Sequence, residues 1–223
     1  MLGFSVGGES CGSLLLGQVR DGRSRSGIQD AEFAVITPDE MKVIMPHAGG
    51  RVEIFHEPLN DAMREFEINS TPRQAAFLAQ IAHESGSLRY VSELASGDAY
   101  EGRADLGNDE PGDGRKYKGH GLIQITGKLN HFLCADALGF PRDEIIAYLQ
   151  TPVGAARSAA WFWVVGAGLN LSKAALRRCG YGCNLNDIAD KGDFVAITYA
   201  INGGTNGLKD RIAYYERAQR VLA

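Results

Sequence analysis

No run of about 18 apolar residues occurs in the 223-residue chain, so no segment has the length and polarity of a membrane-spanning helix. Cysteine is scarce, and Cys11, Cys134, Cys179 and Cys183 are irregularly spaced. That argues against a disulfide-stapled scaffold and makes a reducing compartment the expectation. Surplus positive charge is also lacking: 23 Lys and Arg stand against 27 Asp and Glu, a formal net charge of -4. A nucleic-acid-binding domain carries a basic footprint, so no nucleic-acid partner is expected. Metal ligands are not grouped. Cys179 and Cys183 have no second pair to complete a four-ligand zinc site. His83-Glu84 opens like a helical zinc-protease motif, but Ser87 stands where its second histidine belongs. Gly203-Gly204-Thr205-Asn206-Gly207 lacks the lysine-hydroxyl ending of a phosphate-binding loop. No metal and no cofactor are therefore expected. The first residues lack a basic stretch and Leu14-Leu15-Leu16 is too short for a signal core, so no secretory signal is expected.

What is present is a near-average globular composition, with 44% hydrophobic and 22% charged residues. The length fits one domain with an appendage. Residues 1–36 are rich in glycine and serine without a clear period and read as an irregular N-terminal appendage; residues 37–223 read as the domain. Helix signals begin at Thr37-Pro38-Asp39-Glu40, a capping box with proline at the first helical position. Thr71-Pro72-Arg73-Gln74 repeats the pattern, and Thr151-Pro152 opens a third helix. The segment from Pro72 is apolar nearly all round, which predicts a buried central helix stopped by Gly86. Further helices are expected at 52–66, 128–138, 142–149, 152–165, 172–178, 193–201 and 208–222. Leu122-Ile123-Gln124-Ile125-Thr126 alternates between glycines and is the best strand candidate. Between Leu88 and Lys118 the chain is polar and aperiodic, and a loop of that length is usually functional.

The junction of these pieces is rich in carboxylates. Glu84 falls in the last turn of the buried helix. An apolar setting and the helix C-terminal dipole both push a carboxyl pKa upward, as a general acid requires. Glu101 lies in the long loop, where a carboxylate can stay ionised as a base. One carboxyl from the scaffold and one from the loop match the layout of an inverting glycosidase, in which they stand about 6.5–9.5 Å apart. The loop also carries Glu93, Asp98, Asp105, Asp109, Glu110 and Asp113, most of which read as ordinary solvated charges. Trp161, Phe162, Trp163 and Cys134 read as core.

These residues carry a family resemblance. Ala79-Gln80-Ile81-Ala82-His83-Glu84-Ser85, Tyr100-Glu101-Gly102-Arg103, Gly119-His120-Gly121-Leu122-Ile123-Gln124-Ile125-Thr126, Ile201-Asn202-Gly203-Gly204 and Asp210-Arg211-Ile212-Ala213-Tyr214-Tyr215 occur in that order. Together they resemble the family 19 glycoside hydrolases, which include plant-type chitinases and phage endolysins. The stretch from Arg103 to Asn108, with Pro111-Gly112-Asp113-Gly114, looks like the endolysin branch found in phages of Gram-negative bacteria.

The resemblance implies a mainly α, lysozyme-like domain with a small β element. It implies Glu84 as general acid and Glu101 as general base, with Glu93 the alternative base. Thr126 falls where a hydroxyl holds the water, Gln124 and Asn202 where the sugar is contacted, and Arg211 where carboxylates are ordered. His83 is implied as a structural hydrogen-bonder. Two positions depart from the family: His120 replaces a usual arginine, and Leu129 a frequent tyrosine. The resemblance implies a monomeric endolysin that inverts β-1,4 bonds between N-acetylmuramic acid and N-acetylglucosamine in peptidoglycan strands. It would wait in the host cytoplasm and reach the periplasmic wall through a holin-type lesion, without inserting stably in the membrane. The alternatives are a chitinase and a non-catalytic wall-binding or phage structural domain.

Overall fold

The computed structural model describes residues 34–166 and 184–223. Most of the 1–36 appendage, the helix expected at 172–178, and Cys11, Cys179 and Cys183 lie outside the described residues. The described residues are mainly helical: α1 (Pro38–Ile44), α2 (Arg51–Glu65), α3 (Thr71–Glu84), α4 (Asp113–Lys116), α5 (Lys128–Leu138), α6 (Ile145–Leu149), α7 (Pro152–Trp161), α8 (Leu185–Asp190), α9 (Phe194–Asn202) and α10 (Leu208–Leu222).

The central helix is where the apolar run places it. Every residue of α3 from Gln74 to Ala82 is buried. Helix α10 lies along it, while α7 packs on α2. The stop at Gly86 forms as read. Gly86 takes φ +58°, its N–H donates to the His83 carbonyl at 3.2 Å, and that of Ser87 to the Ala82 carbonyl at 2.7 Å. These two bonds close the helix end and satisfy carbonyls that would otherwise lack partners. Ser87 Oγ then meets Tyr214 Oη of α10 at 2.9 Å, tying the stop to the neighbouring helix.

Local signals held where no distant partner competed. At α1 the Glu40 amide donates to Thr37 Oγ1, and Glu40 Oε2 accepts from the Thr37 amide at 2.7 Å. Thr151 caps α7 through the Gly154 amide at 3.0 Å. The second expected capping box does not form. Ser70 is the N-cap of α3; Thr71 Oγ1 donates instead to the Leu222 carbonyl, and Gln74 Nε2 to the Ala34 carbonyl. The helix expected from 142 starts at Ile145, and that expected over 152–165 is α-helical to Trp161 and then widens into a π turn, Phe162–Gly166.

The strand expected at 122–126 is not one. Gly121 and Gln124 take φ +82° and +58°, and the segment closes into a turn clamped by His120 and Ile125, whose amides and carbonyls pair at 3.0 and 2.7 Å. Two isolated bridges, Ser92 with His120 and His120 with Ile125, are the whole β content of the described residues. Two left-handed residues within four break the alternation that a strand needs. The 88–118 loop is also more ordered than its composition suggests, holding 3-10 turns at Asp98–Tyr100 and Ala104–Leu106 as well as α4.

Trp161, Phe162 and Trp163 are buried, and Trp163 stacks edge-on against Phe77 at 5.5 Å, so none of the three faces a ligand. Cys134 is a buried thiol, pushed up to about 12 by burial, as expected of an inert core residue. Helix α7 starts at a point where only glycine fits, because a Cβ on Gly154 would lie 1.9 Å from the Tyr148 carbonyl oxygen. Gly154→Ala is expected to destabilise the fold by about 1–3 kcal/mol, the usual scale of overpacking against unyielding backbone; urea denaturation reads the shift in midpoint.

Candidate active site

The junction of α3 and α10 is built on two pairs of consecutive residues. His83 Nδ1 meets Asp210 Oδ2 at 2.7 Å, and Glu84 Oε1 meets Arg211 Nη2 at 2.6 Å. Arg211 is buried, with a side-chain exposure of 2%. Each of its nitrogens has a partner: besides Nη2 on Glu84, Nη1 donates to Gln80 Oε1 at 2.5 Å and Nε to the Asn206 carbonyl at 3.2 Å. Gln80 passes the contact on, donating to Thr198 Oγ1 of α9 at 3.0 Å. Glu84 is thus not the unpartnered helix-end carboxylate that its position suggests. It keeps 22% side-chain exposure, enough to meet a ligand, and faces a fixed counter-charge. Gly207 holds the same corner closed. Its φ is +70°, and a Cβ there would come within 2.3 Å of the His83 ring.

A groove, whose lining does not include Glu84 or Arg211, is linked to this junction through the Asn206 carbonyl. The long loop contributes Tyr100, Arg103 and Leu106; the 121–124 turn and the residues after it, Gln124 and Thr126; the end of α9, Ala200, Ile201, Asn202 and Gly203. Gln124 and Asn202, expected to contact sugar, and Thr126, expected to hold the water, therefore share one surface. Gln124 sits in the left-handed region, which costs a non-glycine residue about 1 kcal/mol. Its Nε2 donates to the Gly121 carbonyl at 2.8 Å, and Thr126 Oγ1 donates to its carbonyl at 2.9 Å. Asn202 Nδ2 donates to the Asn206 carbonyl, the same oxygen that Arg211 Nε uses. Glu84 is linked through Arg211 and that carbonyl to the α9 wall.

The two loop glutamates differ. Glu101 is exposed, with Oε1 accepting from the Gly112 amide at 2.6 Å and Oε2 from the Gly114 amide at 2.8 Å. Both amides belong to the start of α4, and neither residue lines the groove. Glu93 is half-buried; it accepts from Tyr100 Oη at 3.1 Å and from the Gly119 amide at 3.0 Å. Tyr100 is a groove residue, so Glu93 is linked to the loop wall directly. Of the other loop carboxylates, Asp98 pairs with Arg115, Asp105 with Arg103, and Asp109 and Asp113 with Lys128, while Glu110 is exposed.

Beneath the turn lies a feature that sequence reasoning did not anticipate. His120 Nδ1 and His131 Nε2 are 3.0 Å apart, and His131 Nδ1 is 2.8 Å from the Gly127 carbonyl. A carbonyl only accepts, so His131 Nδ1 carries its proton, and a neutral His131 must accept from His120 Nδ1–H. Burial pushes both imidazoles down to about 4. The signal for this pair, two histidines flanking a helix start in an apolar stretch, is too common to have singled them out.

Comparison with known proteins places the arrangement. No protein-family model matches the chain. A glycosyl hydrolase family 19 domain-containing protein of Haemophilus influenzae is 26% identical over 205 residues, covering 77% of this chain and 90% of that one. An endochitinase of Arabidopsis thaliana is 34% identical over 157 residues, 66% of this chain and 47% of the plant protein. The chain thus spans about half the length of that plant relative. Chitinase C of Streptomyces griseus superposes with a TM-score of 0.63 at 21% identity, covering 86% of this chain and 77% of that one, which shows the shared fold. The sequence likenesses support the family 19 glycoside hydrolases, the name that the Haemophilus influenzae relative carries, and the Streptomyces structure adds the fold alone. Against the family pattern, His120 brings no positive charge to the loop: it is a neutral, buried hydrogen-bond partner of His131. Leu129 is half-exposed beside Gly107 and does not line the groove.

Two outcomes follow from this chemistry. Arg211→Met is expected to cost about 2–3 kcal/mol, below the range for a fully buried pair because Glu84 keeps contact with water; chemical denaturation at pH 7 measures it. The histidine pair sets an acid limit. An unfolded histidine takes up its proton near 6.5 and the folded pair only near 4, so the unfolded state gains protons as pH falls through that window. The melting temperature should therefore fall between pH 6.5 and 4, and His131→Gln should flatten that slope even if it lowers stability at pH 7.

Proposed function

We propose that the chain is a glycoside hydrolase that cleaves β-1,4 bonds between N-acetylated amino sugars by single displacement with inversion, and that its substrate is the glycan strand of peptidoglycan. The observation that carries the reading is the groove. Apart from Arg103, the polar groups that line it are uncharged hydrogen-bonding ones, as a sugar backbone requires, and each of two carboxylates is tied to a different wall. Glu84, on the α3 end, protonates the glycosidic oxygen. The guanidinium of Arg211 then compensates the anion that Glu84 becomes once the proton has left. A carboxylate on the loop side takes the proton of the attacking water, with the Thr126 hydroxyl beside the water's path.

For that base the geometry favours Glu93 over Glu101. Glu93 is bonded to Tyr100 in the groove lining, whereas both Glu101 oxygens are held by amides outside it. Glu101 reads better as the residue that fixes α4 against the loop. The run from Arg103 to Asn108 supports the peptidoglycan reading. It resembles the endolysin branch and it builds the loop wall, where Asn108 bonds the Tyr100 carbonyl and the Lys128 amide. A chitinase is the second reading, favoured by the relatives named as endochitinases. On the first reading the protein would act on the periplasmic wall after release through a membrane lesion.

Digests of Gram-negative peptidoglycan and of a chitin hexamer, with fragments identified by mass spectrometry, test both. Glu84→Gln and Glu93→Gln are expected to lose about 10²-fold or more in rate, the scale of a missing general acid or base. Glu101→Gln should cost stability and leave most of the rate. A collapse of activity in folded Glu101→Gln would return the base to that residue. Fragments ending in reducing N-acetylmuramic acid identify a muramidase; cleavage of the hexamer alone identifies a chitinase. Full function in Glu84→Gln would point to a non-catalytic domain.

A further inference from the structure

The lining of the groove is neutral except at one point. Tyr100, Gln124, Thr126 and Asn202 present hydroxyls and amides, while Arg103 brings a charge. Its guanidinium is half-exposed and is gripped along one edge only: Nε donates to Asp105 Oδ1 at 2.7 Å, and Nη2 to Asp105 Oδ2 at 2.5 Å. A guanidinium has five N–H donors. That grip uses two of them, and among the described residues no other side chain takes the rest. The remaining Nη1–Nη2 end has the fork geometry that accepts a second carboxylate through two parallel bonds. Asp105 fixes the plane of the fork, so little side-chain freedom is left to lose on binding.

The surroundings admit an anion. The loop aspartates other than Asp105 already have partners, Asp98 with Arg115 and Asp109 and Asp113 with Lys128 at 2.6 and 3.1 Å, and Glu101 is held by two amides. Chitin offers no charge to such a fork. Peptidoglycan does, because the peptides hanging from the lactyl groups of alternate sugars carry free carboxylates.

We propose that Arg103 selects an acidic glycan over a neutral one, binding a stem-peptide carboxylate through the free end of its guanidinium. The inference rests on the peptidoglycan reading of the same groove. Asp105 acts as a positioning residue that presents the fork.

The test compares wild type and Arg103→Gln on purified sacculi, native and after carbodiimide amidation of their carboxyl groups, with the chitin hexamer as a third substrate. Wild type should lose roughly five- to tenfold in kcat/KM on amidation, the scale of one part-exposed charge-assisted contact. Arg103→Gln should already show the lower value on native sacculi and lose less than twofold more on amidation. Arg103→Lys, which keeps the charge and loses the fork, should fall between them. An unchanged melting temperature in Arg103→Gln separates recognition from folding. Equal wild-type rates on native and amidated sacculi overturn the proposal, as does an equal further loss in the variant. Wild type that digests no sacculi yet cleaves the hexamer overturns the peptidoglycan reading itself, and the role of Arg103 with it.

Discussion

The site depends on one buried guanidinium. Arg211 has almost no contact with water, and a charge in that position is tolerable only when every donor direction is answered. Glu84, Gln80 and the Asn206 carbonyl answer three of them, and they come from the end of α3, the middle of α3 and the turn before α10. Gln80 then reaches Thr198 on α9. The polar chain runs from the candidate acid through the apolar centre to the helix whose end forms the groove wall. Its partners fix one another: displacing any of them leaves a buried polar group without its hydrogen bond, and such losses are felt in full rather than averaged away.

The opposite wall is organised by other means. It has few buried apolar residues and is held by local turns and surface ion pairs, each weak on its own. Left-handed positions at Gly97, Gly102, Gly107 and Gly112 let the chain reverse every few residues, and Asn108 stitches two of the turns to the start of α5. The groove therefore lies between a rigid helical face and a wall made of hydrogen-bonded loop. The candidate acid Glu84 and Asn202 belong to the first, and Glu93, Tyr100 and Arg103 to the second.

Much of this was legible in the sequence, and the exceptions share a cause. Thr37 and Thr151 cap their helices because every partner they need lies within three residues. Thr71 carries the same signal and fails, since Leu222, 151 positions away, takes its hydroxyl. Leu122 to Thr126 has strand composition, but the alternation of branched residues does not encode the left-handed φ of Gln124. Nothing in the sequence around Gln80, an amide in an apolar stretch of α3, indicates that an arginine far along the chain claims it. The candidate acid stood out because a helix end is a local feature. The proposed base did not, because Glu93 and Glu101 are the same residue type in the same loop. They are told apart by which amides and hydroxyls reach them: Gly119 and Tyr100 in one case, Gly112 and Gly114 in the other.

The contact between α3 and α10 has the logic of a keyed joint. His83 followed by Glu84 faces Asp210 followed by Arg211, so the order of acid and base along one helix is the reverse of that along the other. Moving α10 by a single residue would set Asp210 against Glu84, an acid against an acid, and would leave Arg211 buried without an anion. Apolar contacts between helices tolerate small slips, because one alkyl group resembles another. This pairing does not, and it gives the contact between α3 and α10 a single allowed register at the end that carries the candidate acid.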